Sequence, residues 1–288
     1  MDGGALVIGE SLVDIVRTAD GVTTERPGGS AANVAVALAR LGRSVRFVTA
    51  YADDERGHAI ARHLADSGVE LAGDPQVLPR TSSAMATIQP GGSATYSFDL
   101  DWRLGPVTVG SPQFVHVCSL GAVVQPGADD VLGILAEVQD SATISYDVNA
   151  RPAVTGTGPD LVAAVERVAA VADIVKASDE DLAVLYPTFG LAEAAEHLLA
   201  LGPRAIALTL GEGGATWITA TGEVTVESNT VTVVDTIGAG DTFAAALVDA
   251  LWDDIERDPA EVLAHAARAA AITVSRPGAD PPYRHELG

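Results

Sequence analysis

Six short runs rich in β-branched residues recur along the chain: ALVIG (5–9), VRFVTA (45–50), FVHVCSL (114–120), ATISYD (142–147), DIVKAS (173–178) and AIALTL (205–210). Segments with helical apolar spacing lie between them, at Ala31 to Leu41, His58 to Ser67, Asp129 to Gln139, Leu161 to Val171 and Leu191 to Leu201. Strands that alternate with helices rejoin one sheet in parallel, and the crossover helices cover both of its faces. The pattern predicts an α/β fold with a largely parallel central sheet. In such sheets ligands bind beyond the carboxyl ends of the strands.

Two stretches break the rhythm. Residues 12–27 (LVDIVRTADGVTTERP) and 84–100 (AMATIQPGGSATYSFDL) alternate apolar and polar side chains around turn signals at Asp20-Gly21 and Pro90-Gly91-Gly92. A period of two around a tight turn suits a hairpin better than a crossover helix. The pair is expected to form a small flap outside the main sheet, with a decorative edge hairpin as the plainer alternative. No internal repeat or low-complexity stretch is visible, and PAVTGTGP (152–159) reads as a surface loop, not a domain linker.

Charge excludes several kinds of partner. Acidic residues outnumber basic ones 39 to 17, for a formal charge of -22, which repels phosphate backbones and anionic lipid surfaces. Neither nucleic acid nor a membrane is expected to bind. The 288 residues are 48% hydrophobic, enough to bury a sizeable core. Cys118 is alone, so no internal disulfide or cysteine metal cluster can form. MDGGALVIGESLVD has no basic segment ahead of a long apolar run, and no stretch reaches the ~18 apolar residues of a membrane helix. A cytoplasmic location is expected.

Near the C-terminus, VVDTIGAGDTFAAALVDAL (233–251) passes from β-branched residues through two glycines into an alanine-rich run. Val231 to Val234 read as an extended run, Asp235 to Gly240 as a turn, and Asp241 onward as a helix burying Phe243, Leu247, Val248 and Leu251. Gly238 and Gly240 free the backbone to aim successive N–H groups at one point at a helix N-terminus, where an anion is best held. Asp241 projects a carboxylate from the same turn, as a base for an alcohol requires. The plainer alternative is a strand-turn-helix junction that Asp241 merely caps. A P-loop is excluded, because no G-x-x-x-x-G-K-[ST] occurs, and Phe243 stands where a dinucleotide fingerprint needs a small residue.

DTIGAGDTF (235–243) resembles the C-terminal motif of the ribokinase family, also called the PfkB carbohydrate kinases. The resemblance implies a ribokinase-like three-layer α/β/α fold with a small β lid. It also implies an anion hole at Gly238, Ala239 and Gly240 for the transferring phosphoryl group, and Asp241 as the base that takes the sugar hydroxyl proton. GGSAANVAVALARLG (28–42) is similar to the family's N-terminal motif. By that resemblance Gly28 and Gly29 are the lid hinge and Asn33 contacts the sugar. Locally, Ser30 reads as an N-cap and Gly42 as the closing glycine of a helix over Ala31 to Leu41. Asp14, in GESLVDIV, matches a family aspartate that hydrogen-bonds sugar hydroxyls; its plainer role is a solvated hairpin carboxylate.

The middle of the chain resembles the family as well. YADDERG (51–57) is similar to the turn after the second strand, with a structural role. YDVNARP (146–152) resembles the fructokinase-type DPNxR segment, with Val148 in place of proline. Arg151, at the end of a predicted strand, suits phosphate or sugar oxygens and equally suits pinning a carboxylate. VKASDEDL (175–182) aligns with the family's N-x-x-E region, which implies Lys176 and Ser178 in nucleotide binding and Asp181 in Mg2+ binding through water. Asp179, Glu180 and Asp181 read equally as an acidic first helical turn. TLGEGGATW (209–217) resembles the nucleotide strand and turn, implying contacts from Thr209, Gly211 and Gly214, or else a tight β-turn. AARAAAITVSRPGADPP (266–282) resembles the helix and loop that wall the adenine site, with Ala267 where many relatives carry asparagine. The family's monovalent-cation site implies K+ at Asp235 and the Ile237 carbonyl.

The resemblance covers nearly the whole chain and implies an ATP-dependent sugar kinase. Residues 1–288 are then a single domain, with a lid formed by about 12–27 and 84–104 and MgATP across the strand ends. Fructose, converted to fructose 6-phosphate, is the first substrate reading, with 2-keto-3-deoxygluconate as the nearest rival. A carboxylate substrate wants an arginine clamp, and TYSFDLDWRLG offers Arg103 beside the repelling Asp99 and Asp101. Trp102 reads as packing or as a platform for a sugar face. A reading of another class is an idle sugar-binding homologue; an NAD-linked enzyme is disfavoured because the first strand ends in GESLVD without a glycine fingerprint. An unpaired lid edge invites a homodimer.

Overall fold

The structure is a computed structural model that describes residues 3–89 and 94–288. From the N-terminus, β1 (Ala5–Ile8) leads into the pair β2 (Leu12–Arg17) and β3 (Thr23–Gly28), then α1 (Ser30–Arg40), β4 (Val45–Val48), α2 (Glu55–Asp66) and a short β5 (Glu70–Leu71). A second pair, β6 (Ser83–Ile88) and β7 (Ala94–Asp99), precedes β8 (Phe114–Cys118), α3 (Ser119–Val123), α4 (Gly127–Val138) and β9 (Thr143–Asp147). There follow α5 (Pro152–Thr155), α6 (Pro159–Ala169), β10 (Ile174–Ser178), α7 (Asp179–Leu185), α8 (Leu191–Ala200) and β11 (Ala205–Thr209). The chain closes with β12 (Ala215–Thr219), β13 (Gly222–Val226), α9 (Ala239–Ala250) and α10 (Pro259–Val274). The stretch read as a surface loop at 152–159 contains one helical turn, α5.

Among the described residues the main sheet has the order β13-β12-β11-β10-β9-β8-β1-β4-β5, parallel from β5 to β11 and antiparallel only at the β12 and β13 edge. β1 is an interior strand between β8 and β4, and Ala5, Leu6, Val7 and Ile8 are each at most 1% exposed. Such burial on both faces is what an uninterrupted apolar run in a parallel sheet requires. One face is covered by α1, α2, α9 and α10, the other by α4, α6, α7 and α8. The alanine faces of α1 (Ala31, Ala32, Ala35) and α9 (Ala244, Ala245, Ala246) lie in one core. Small side chains let these two helices approach closely, and their N-termini arrive together beyond the carboxyl ends of β1, β8 and β9.

The two hairpin stretches join in a separate sheet of order β3-β2-β6-β7, with β2 and β6 parallel. The turn expected at Pro90-Gly91-Gly92 lies outside the described residues. Register places Asp14 opposite Ala84 and Ala84 opposite Phe98, so these three share one face. The other face carries Val13, Ile15 and Met85, which pack in the same core as Ile60 and Leu64 of α2. An ion pair from Arg56 of α2 to Glu25 of β3, at 2.5 Å, holds that face to the body. The Asp14 face is thereby left toward the site. The extended run read at Val231 to Val234 forms no strand: only Val234 bonds across, to the carbonyl of Val274 at 2.8 Å, and Val231, Val233 and Val234 stay exposed. No helix among the described residues is long and apolar enough to cross a membrane.

Candidate active site

Asp241 stands in the first turn of α9 and is only 6% exposed. A buried carboxylate needs donors, and three converge on it. The Ser30 hydroxyl donates to Oδ1 at 2.6 Å, the Asn33 amide to Oδ2 at 2.8 Å, and the Asn149 amide to Oδ1 at 3.3 Å. Asn149 also donates to Ser30 Oγ at 2.7 Å. These residues come from α1, the β9–α5 connection and α9, so the fold assembles them from segments more than 90 residues apart. Asn33 thus sits beside Asp241. Ser30 does not cap its helix: the N-cap of α1 is Gly29, with no side-chain cap, and the hydroxyl turns to Asp241 instead.

The anion-binding geometry follows from the glycines. Gly238, the N-cap of α9, has φ 76°, and a Cβ there would come within 2.6 Å of the Ala279 Cβ. Only glycine meets both demands. The N–H groups of Gly240 and Asp241 belong to the first helical turn, where no intrahelical acceptor exists. Beneath them lies Lys176, 4% exposed, whose Nζ would be 3.2 Å from a Cβ on Gly240. Lys176 pairs with Asp147 at 2.9 Å. Burial works against its ammonium, but the charges of Asp147, Asp181 and Asp241 hold its pKa above the usual lysine value. Burial pushes Asp147 up to about 7 against the pull of Lys176. The ammonium is therefore the lasting charge of the pair, aimed at the place where an anion would sit.

On the lid side, burial and the Asp241 charge push Asp14 up to about 6, with Arg151 opposing. A Cβ on Gly28 would meet the Asp14 carboxylate at 2.1 Å, so that glycine makes room for the aspartate. Gly29, at φ 102°, runs against the Glu10 carbonyl. Arg151 is exposed, rests on the carbonyls of Ala150 and Asn149 at 3.1 and 3.4 Å, and directs its charge at Asp14. Three arginines bear on substrate charge. Arg103 is tied to Asp101 at 2.8 Å and Arg80 to Asp99 at 2.5 Å. Arg26 of β3 shares the Asp14 face, and its guanidinium would meet a Cβ on Gly278 at 3.0 Å. Trp102 is packing: it is 3% exposed and donates to the Gly121 carbonyl at 3.0 Å.

The nucleotide-side residues line the ends of β10 and β11. Ser178 and Asp181 form the capping box of α7: the serine hydroxyl accepts from Asp181 N at 3.0 Å and Asp181 Oδ2 accepts from Ser178 N at 2.8 Å. Asp181 Oδ1 accepts from Ala150 N at 2.7 Å. Two backbone donors fix this carboxylate, leaving lone pairs that fit a metal-bound water better than a direct metal bond. Thr209 ends β11 and donates to the Ala177 carbonyl at 3.4 Å. Gly211 (φ 55°) has open space around it, whereas Gly214 (φ 89°) abuts the Val226 carbonyl at 2.1 Å. Gly211 is free to approach a ligand; Gly214 is demanded by the turn. Asp235 accepts from Ile237 N at 3.0 Å and Gly278 N at 2.9 Å, tying the turn before α9 to the loop after α10. Ala267 packs against the core.

Sequence reasoning missed Glu10, Asn149 and Asp147, and misassigned the Ser30 hydroxyl. Glu10 is 6% exposed, accepts from Ser30 N at 3.1 Å and Gly121 N at 2.9 Å, and is pushed by burial up to about 7. A glutamate directly after a fully apolar strand was the available signal. The arrangement suits moving a proton to Asp241 from a hydroxyl held between α1 and the lid, next to a helix terminus and a buried ammonium that stabilise an anion.

Residues 4–286 match the pfkB family carbohydrate kinases. The chain is 35% identical to the fructokinase of Rhizobium leguminosarum bv. trifolii, over 86% of this chain and 80% of that protein. It is similar to the crystal structure of fructokinase from Vibrio cholerae O395 in fructose, ADP and calcium ion bound form, with a TM-score of 0.83 and 27% identity, covering 96% of this chain and 94% of that one. It is equally similar, at a TM-score of 0.83 and 28% identity over 98% of each chain, to aminoimidazole riboside kinase from Salmonella enterica complexed with aminoimidazole riboside and an ATP analog. The ribokinase-like α/β fold, the convergence on Asp241 and these matches agree: the chain belongs to the pfkB family of carbohydrate kinases and is an ATP-dependent sugar kinase.

Proposed function

We propose that the chain transfers the γ-phosphoryl group of ATP to a hydroxyl of fructose, giving fructose 6-phosphate, with Asp241 as the base. The observation that carries this reading is the convergence of Ser30, Asn33 and Asn149 on Asp241 at the N-terminus of α9. Asn33 and Asp14 hold the sugar, Arg151 lies beside Asp14, and Gly28 and Gly29 form the hinge on which the small sheet closes over it. Closure excludes water, which otherwise competes as acceptor. The N–H groups from Gly238 to Asp241 and the Lys176 ammonium stabilise charge on the phosphoryl group as it moves. Ser178, Thr209, Gly211 and Gly214 border the nucleotide, and the exposed Val231, Val233 and Ile237 give the base an apolar wall. Mg2+, when bound through water at Asp181, neutralises phosphate charge. Asp235 and the Ile237 carbonyl are the place for K+.

A neutral sugar is favoured over a sugar acid because Arg103 and Arg80 are already paired with Asp101 and Asp99, which leaves Arg26 as the lid arginine on the Asp14 face and no two-arginine clamp there. The whole chain acts as one catalytic unit in this reading, with the four-stranded sheet as its lid. The test is Asp241→Asn, which keeps shape and removes basicity. Turnover is expected to fall by ~10²-fold or more, the scale of losing a positioned general base, while sugar binding by calorimetry stays within a few-fold. A loss of less than tenfold removes Asp241 from that role.

A further inference from the structure

We propose that Ser30 is a positioning residue for Asp241: with Asn149 it occupies both lone pairs of Oδ1, so that Oδ2 is the atom that takes the sugar proton. The proposal rests on the reading of Asp241 as the base. A carboxylate offers about four acceptor sites, two on each oxygen. Oδ1 accepts from Ser30 Oγ at 2.6 Å and Asn149 Nδ2 at 3.3 Å, and Oδ2 from Asn33 Nδ2 at 2.8 Å, which leaves one site, on Oδ2. The direction of the Ser30 proton is fixed by chemistry. Asn149 Nδ2 can only donate, and it does so to Ser30 Oγ at 2.7 Å, so the single hydroxyl proton is left for Asp241.

Each partner in this relay is itself locked. Asn149 has φ 38°, sparsely populated for a residue with a side chain, and its carbonyl accepts from the Ser119 hydroxyl at 3.2 Å; Ser119 has φ 51°. Two left-handed residues at the ends of neighbouring strands, bonded to each other, mark a place where local strain serves geometry. Ser30 N donates to Glu10, whose other oxygen accepts from Gly121 N. Immediately before Ser30 stands Gly29, the expected hinge, so Ser30 is the first residue of α1 and of the body beyond that hinge. Its hydroxyl is free for this work because α1 takes no side-chain cap from it.

The titratable groups that face Asp241 are Glu10 after β1, Asp14 on β2, Cys118 on β8, Asp147 on β9 and Lys176 on β10. Of their side chains only the Cys118 thiol bonds the Ser30 hydroxyl, and burial keeps that thiol neutral, so a shift in the acid limb on truncating Ser30 reports the donor lost from Asp241. The experiment is steady-state kinetics on the full chain with fructose and MgATP, comparing wild type, Ser30→Ala, Ser30→Thr, Asn149→Ala, the Ser30→Ala/Asn149→Ala double variant and Asp241→Asn. Ser30→Ala is expected to lower kcat by about 10-fold through misaim of the base, with both KM values within about threefold. The acid limb of kcat should move to higher pH, because a carboxylate deprived of a donor holds a proton more firmly. Ser30→Thr keeps the hydroxyl and should leave the acid limb in place even if it melts earlier. The double variant should lose less than the product of the singles, since both act on Oδ1. An unchanged kcat and acid limb in Ser30→Ala, or fully multiplicative losses, while Asp241→Asn is inactive, overturns the role of Ser30 alone. Activity within tenfold of wild type in Asp241→Asn overturns the base assignment, and this proposal with it.

Discussion

If Asp14 holds the sugar as proposed, it gives sugar binding a pH dependence. Burial and the neighbouring Asp241 charge place its pKa at about 6, so below that pH it is protonated and one acceptor for sugar hydroxyls is lost. The kcat/KM for sugar is therefore expected to rise with pH through about 6 and then level off. In Asp14→Asn that limb should vanish, with KM raised by about 10-fold or more for a lost charged hydrogen bond. A full profile of kcat/KM in both proteins between pH 5 and 8 checks this; an unchanged limb in Asp14→Asn places the titration elsewhere. Asn33 stood out locally as a poor helix former inside a helix, whereas Asp14 and Asp241 were singled out by the family resemblance, since a hairpin carboxylate and a helix cap explain them equally well in isolation. Ser30 was legible as a residue but not as a role: helix-capping chemistry and bonding to a distant carboxylate use the same hydroxyl, and only the approach of α9 to α1 decides between them. Asn149 sat inside a recognised segment, yet its amide acquires meaning from a φ of 38° that no sequence pattern displays.

The turn that opens α9 is the element on which the proposed hold on the phosphoryl group depends. Gly238 needs both a left-handed backbone and bare space beside Ala279, whereas Gly211 needs only the backbone, having nothing within 4 Å of where a Cβ would go. The two glycines therefore separate strain from collision. Gly211→Ala should cost only the ~1–2 kcal/mol of left-handed strain, seen as a modest drop in melting temperature and a small change in KM for ATP. Gly238→Ala adds a Cβ only 2.6 Å from that of Ala279, which must push the turn from the C-terminal loop. Its kcat should fall by ~10²-fold, as when an oxyanion donor is lost; equal kcat effects from the two variants would separate the Gly238 turn from phosphoryl transfer. Periodicity placed the six principal strands and both hairpins, because apolar runs with turn signals state their own period. It gave Val231 to Val234 as extended and left them without a partner strand, since pairing is set by neighbours across space. Val231, Val233 and Val234 stay exposed there instead of joining a ladder.

Across the whole molecule, the 17 basic residues of this acidic chain are few, and several are placed at the two ends of α9. Arg43, His265 and Arg284 converge on buried Asp249 of α9, which clamps the far end of that helix to the α1–β4 turn, to α10 and to the C-terminal residues. Lys176 is buried at the other end. With its tail anchored and its N-terminus packed on Ala279 and Lys176, α9 is a fixed strut, and the small sheet, held through α2 on one face, is the part left to close. The parallel sheet was readable from the order of its runs, and the site's position beyond the strand ends followed from it. The lid's inner face was not, because register decides whether Asp14 and Phe98 look inward, and a slip of one residue reverses every side chain. The most direct measurement is ATP-to-ADP turnover with MgCl2 and KCl against fructose, 2-keto-3-deoxygluconate, ribose and aminoimidazole riboside. Turnover with fructose, at a kcat/KM well above that for the other three, is the expected result. Preference for 2-keto-3-deoxygluconate would contradict the neutral-sugar account of the lid, and preference for ribose or the riboside, or no turnover with any of the four, would contradict the assignment of fructose as the acceptor.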